Sequence, residues 1–182
     1  MANPNRQMGE RTRLTAICSV LSALSVVLLY LGSFVEVLDL SVALIASLAV
    51  VVLVIERGDV YPWMTCLVTS VLSLLLLPNK TPAIVYACFM GFYPILKERI
   101  EKLRWRVVRI AIKLVIFNVS VVVMWLVAEM LVGKLTFGAP AQIMWGLLNG
   151  VFIFYDYALS VLITSYLRVW RRRLKIGRFF EK

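Results

Sequence analysis

The chain has 182 residues, 62% of them hydrophobic, with a mean hydropathy of +0.89 and a net charge of +10. A soluble domain is about 45 to 50% apolar, so this composition excludes a soluble fold and leaves no length for a separate catalytic domain. Histidine is absent, which removes the commonest metal ligand and general base.

The first 13 residues are polar and basic, with Arg6, Arg11 and Arg13, and Leu14 to Leu31 is continuously apolar. No small-residue cleavage site follows, and the run is long enough to span a bilayer, so it reads as a retained first helix. A short turn, Gly32 to Val37, leads to a second span, Leu38 to Ile55. The loop Glu56-Arg57-Gly58-Asp59 precedes a third, Val60 to Leu77, and Pro78-Asn79-Lys80-Thr81-Pro82 forms a rigid turn. Ala83 to Leu96 is a short fourth span, with Pro94 expected to bend its inner end. After the charged segment Lys97 to Arg109 come the fifth span, Ile110 to Val132, and the sixth, Gly138 to about Leu167. Cys18, Cys66 and Cys88 all fall inside apolar runs, without CxxC spacing, and read as small packing residues.

The expected fold is therefore all-α: a cytoplasmic segment 1–13, a six-helix membrane domain 14–167 and a basic tail 168–182. Six spans put both termini on one side of the membrane. That side carries seventeen Lys and Arg residues, against Lys80 and Lys134 on the other, so the positive-inside rule puts both termini in the cytoplasm. Lys113 remains, inside the inner end of the fifth span, and is expected to snorkel inward. The basic tail reads as an anchor on anionic lipid rather than a nucleic-acid site.

Chemistry concentrates in the last two spans. Gln142, Asn149 and Asp156 recur every seven residues on the sixth, nearly two helical turns apart, and form one polar stripe. Asn118, Trp125 and Glu129 form another on the fifth. A carboxylate at the bilayer centre costs about 2.5 to 3.5 kcal/mol on insertion scales, so Asp156 is expected to face protein or water. Counting depth from the ends of the apolar runs pairs Glu129 with Gln142, Trp125 with Asn149 and Asn118 with Asp156. The expectation is an acidic cleft open to the outside, with Trp125 and Trp145 as aromatic walls and Glu36, Asp39, Asn79 and Lys80 at its mouth. Such a cleft suits a cationic or hydrogen-bond-donating heteroaromatic solute. The other reading is a set of interhelical hydrogen bonds, each worth about 0.6 kcal/mol, that only hold the helices together. On the first span Thr15, Ser19 and Ala23 recur every four residues, a small-residue face on which another helix can approach closely; Gly146 and Gly150 repeat the pattern on the sixth. No dinucleotide, Walker or zinc-protease motif is present, and no nucleophile–base pair is visible, so neither an enzyme nor a cofactor is expected.

Arg13-Leu14-Thr15-Ala16 with the small-residue ladder through Ala23, the Arg57-Gly58 turn after the second span and Asn149-Gly150 in the sixth resemble the substrate-binding S components of energy-coupling factor transporters. The resemblance covers the whole chain in layout. It implies a multi-pass subunit of a bacterial cell membrane that captures a vitamin or other micronutrient from outside. It also implies a separate transmembrane coupling subunit and ATPase subunits, with the Thr15-Ser19-Ala23 face as the docking face. A rival of another class is a non-transporting membrane scaffold similar to the rod-shape protein MreD, in which the polar stripes are structural.

Overall fold

The computed structural model describes residues 4–35, 38–58, 60–132 and 141–170. Among them there are helices and no strands. The elements are α1 (Pro4–Gly32), α2 (Asp39–Glu56), α3 (Tyr61–Leu76), α4 (Thr81–Val85), a π-helical turn (Tyr86–Met90), α5 (Tyr93–Glu101), α6 (Arg106–Val132), α7 (Ala141–Ser165) and a second π-helical turn (Tyr166–Trp170). Four helical stretches are long and apolar enough to cross a membrane: Arg11–Gly32, Asp39–Glu56, Arg106–Val127 and Trp145–Arg168. The third run yields a shorter apolar helix of 16 residues, and the fourth is broken. Lys134 and the tail beyond residue 170 lie outside the described residues.

The helix ends follow local chemistry. Gly58 stops α2 in the left-handed conformation (φ +63°), with its N–H donating to the Leu53 carbonyl at 3.2 Å; only glycine adopts that backbone at little steric cost. Leu77, at the end of α3, is extended (ψ 134°), as expected of a residue before proline. Pro62, Pro82 and Pro94 each sit in the first turn of α3, α4 and α5, where no N–H is required of them. Pro94 therefore starts a helix rather than bending one. The break comes just before it, where the Gly91 N–H reaches back five residues to the Tyr86 carbonyl at 2.7 Å and widens one turn.

The helices form two packed units, one up to Arg104 and one from Trp105. In the first, α1 packs on α2 and α3, and α2 packs on α4 and α5. Leu29, Ala43, Val50, Leu53, Tyr86, Tyr93 and Ile95 are nearly or fully buried, and Phe89 packs on Tyr93 with ring centroids 4.8 Å apart. The buried faces of α1 and α3 carry small hydroxyl residues: Ser22 and Ser25 on α1, and Thr65, Thr69 and Ser73 on α3. Hydroxyl side chains let two backbones approach as glycine would, and Ser25 also donates across to the Ala46 carbonyl of α2 at 3.2 Å.

At the Asp39 end of α2 the chain is tied by side chains. Asn79 donates to Asp39 at 3.3 Å and accepts from the Thr81 N–H at 3.0 Å. Lys80 Nζ donates to the Leu74 and Leu77 carbonyls at 2.8 and 2.6 Å, supplying donors for C-terminal carbonyls that the helix itself leaves open. Lys80→Met is expected to destabilise the protein by roughly 1.5 to 3 kcal/mol, the range for hydrogen bonds to charged groups. An unchanged thermal midpoint in detergent would show that water satisfies those carbonyls equally well. Glu36 lies outside the described residues.

Candidate functional site

The second unit is the α6–α7 pair, antiparallel and apolar on its outer faces: Val107, Met130, Leu147, Ile153 and Phe154 are all exposed. Its inner faces meet at two polar levels with an aromatic stack between them. Lys113 Nζ on α6 lies 3.0 and 2.9 Å from the two carboxylate oxygens of Asp156 on α7. One turn along α6, Phe117 stacks on Phe152 with ring centroids 4.5 Å apart and planes 13° from parallel. Beside that stack, Asn118 Nδ2 donates to Asn149 Oδ1 at 3.2 Å.

Each amide also bonds within its own helix. Asn118 donates to the Leu114 carbonyl at 2.8 Å, and Asn149 donates to the Trp145 carbonyl at 2.9 Å. These back-bonds hold both side chains against their helices and aim them across the seam. Ser160 donates to the Asp156 carbonyl at 2.9 Å.

The ion pair is largely but not fully enclosed, with side-chain exposures of 12% for Lys113 and 23% for Asp156. Each ion taken out of water into a low-dielectric site costs several kcal/mol, and the attraction repays this only with good geometry. Both carboxylate oxygens lie within hydrogen-bonding distance of the ammonium, so that condition is met.

Of the two stripes read from the sequence, Asn118, Asn149 and Asp156 reach the seam, in a register different from the expected one. Asn118 meets Asn149 instead of Asp156, a displacement of seven residues, or two turns. Lys113, expected to snorkel away, is the partner of Asp156. The reason is electrostatic: sliding the helices by two turns would separate the opposite charges of Lys113 and Asp156 and break the aromatic stack beside them. Asp156 is consequently not an uncompensated acid, and this level of the hairpin is neutral overall rather than acidic.

Of the other candidates, Trp125 (42% exposed), Trp145 (36%) and Glu129 lie exposed nearer the connection between the two helices. The Gln142 side chain lies outside the described residues. Tyr155 and Tyr157 flank Asp156 on opposite sides, the first buried and the second exposed. On α1, Thr15, Ser19 and Ala23 are exposed in their unit, with the Thr15 and Ser19 hydroxyls turned back onto the Arg11 and Thr15 carbonyls at 3.0 Å each.

Sequence reasoning missed Lys113, Phe117 and Phe152 as members of the site. The available signal was charge complementarity: one cation inside the fifth apolar run and one anion inside the sixth, each costly in hydrocarbon without the other. Among the described residues no three His, Cys, Asp or Glu side chains converge as a metal site would require. The chain matches no family model, no curated protein and no solved structure, so a functional reading stands on the geometry of this seam.

Proposed function

We propose that the chain is a membrane-embedded solute-binding subunit, similar to the S components of energy-coupling factor transporters, with six spans and both termini in the cytoplasm. The topology rests on the seventeen-to-two distribution of basic residues. The observation that carries the function is the partly exposed Lys113–Asp156 pair, set beside two paired amides in otherwise apolar helices. A buried ion pair is an inefficient way to stabilise a fold, since apolar residues of similar volume are often as good or better. Ionisable groups at membrane depth usually mark a solute or ion path. With Lys113 beside Asp156, the seam suits a small solute bearing both a hydrogen-bond acceptor or anion and a donor, rather than a simple cation. A vitamin-like micronutrient fits that description. Transport would then need a separate coupling subunit and ATPase subunits, because this chain has no nucleotide motif.

The second reading is the membrane scaffold. It is favoured by the fact that Asp156, Lys113, Asn118 and Asn149 already satisfy one another. The charge-reversed pair Lys113→Asp with Asp156→Lys separates the two. It preserves the attraction but inverts the polarity that a solute would meet. Native mass spectrometry of wild-type protein extracted without exchange of its ligands is expected to show a bound small molecule, absent from the folded reversed variant. A folded reversed variant that retains the same molecule, or a wild type that carries only cell-envelope proteins, would move the assignment to the scaffold.

A further inference from the structure

Between α1 and α3, in the first unit, lies a half-enclosed cavity of about 270 Å³. Thr15, Ser19 and Ser22 of α1 form one wall, and Met64 and Thr65 of α3 contribute to the other. An arginine stands near this end of each wall: Arg11 lies within α1, four residues before Thr15, and Arg57 lies four before Tyr61, the first residue of α3. Four residues is about one helical turn, so Arg11, Thr15 and Ser19 share a face of α1, and all three are exposed. The cavity is thus a slot in the apolar part of two membrane helices with a guanidinium one turn beyond its end.

Its accessible lining is almost wholly apolar, and one buried hydroxyl lies beneath it. Thr65 is 1% exposed, and its hydroxyl oxygen has no oxygen or nitrogen partner among the described residues, facing instead the Cys18 thiol. A thiol is a weak hydrogen-bonding group, so the hydroxyl's hydrogen-bonding capacity is only weakly met. The volume discriminates between occupants. A helix with its side chains is about 10 to 12 Å across and does not enter a slot of this size, whereas a single hydrocarbon chain does.

From this geometry we infer that the α1–α3 slot binds one anionic phospholipid, an acyl chain lying between Ser19 and Met64 and the phosphate on Arg11. Arginine matches a phosphate bidentately, and basic residues at the membrane surface attract anionic lipid. The site is separate from the Lys113–Asp156 seam and does not depend on the solute reading.

The test uses the full chain in bilayer nanodiscs containing equal amounts of phosphatidylglycerol and phosphatidylcholine, released and weighed by native mass spectrometry. Wild type is expected to retain one phosphatidylglycerol in at least five-fold preference over phosphatidylcholine. Arg11→Gln is expected to abolish the preference. Ser19→Phe, which fills the slot from an exposed position, is expected to lose the retained lipid while keeping its helical circular dichroism. Equal retention of the two lipids by wild type, or unchanged phosphatidylglycerol retention by Ser19→Phe, overturns the assignment. Should Ser19→Phe fail to fold, Arg11→Gln decides alone, and an unaltered preference in that variant overturns the assignment too. Protection of the thiol of Ser19→Cys by a co-purifying polypeptide, with no lipid retained, also overturns it.

Discussion

Lys113→Met, which leaves Asp156 without its counter-ion inside an apolar helix pair, is expected to destabilise the α6–α7 unit by about 3 to 5 kcal/mol. The ammonium lies 2.9 Å from the carboxylate, and both groups are mostly enclosed. Asp156→Leu is expected to cost less, because a lysine stem can carry its charge toward an interface while a short carboxylate cannot. The double variant Lys113→Met with Asp156→Leu is expected to recover most of the loss, since two apolar groups of comparable size remove both desolvation penalties together. Unfolding in mixed micelles, read as a double-mutant cycle, measures the coupling directly. Simple additivity of the two single effects would mean that the charges do not interact, and the register of the seam would lose its main determinant.

Gly32→Ala is expected to be destabilising, although Ala is normally favoured over Gly in a helix by about 1 kcal/mol. A Cβ at this position would lie 2.6 to 2.7 Å from Cβ, Cγ1 and Cγ2 of Val42. Those atoms belong to a β-branched side chain with little rotamer freedom, so relief requires α1 and α2 to move apart. Overpacking of this kind costs about 1 to 3 kcal/mol. The reversed sign relative to helix propensity is the signature. Adding Val42→Ala removes two of the three clashing contacts, those to Cγ1 and Cγ2, and is expected to return part of the thermal stability that Gly32→Ala loses. A stabilised Gly32→Ala variant would show that the last turn of α1 does not pack on α2 this closely.

Much of the architecture was legible in the residues themselves. The apolar runs beginning at Leu14, Leu38, Ile110 and about Gly138 correspond to the four helices suited to crossing a membrane. Gly58 and Pro78 marked the ends of α2 and α3. The fourth run was misjudged in detail because Pro94 was read as a bend, whereas a proline in a first helical turn is well accommodated and the irregularity falls on Tyr86–Met90. The small-residue face of α1 was visible as Thr15, Ser19 and Ala23, but its neighbours Ser22 and Ser25 are the ones buried, and Ser25 reaches α2. Spacing alone did not tell which of these adjacent faces packs inward. In the candidate site, Asn118, Asn149 and Asp156 were legible as polar groups of the two helices, but the level at which they meet their partners was not.

Membrane character and helical order were determined by the sequence alone, because transferring an apolar run out of water depends on the run's own composition and its backbone must be satisfied within itself. The partner of Asp156 was decided only by the tertiary structure. Each residue turns a side chain by about 100° around the helix, so which groups meet across a seam depends on axial register, and that is set by packing, here Phe117 on Phe152 and Lys113 on Asp156.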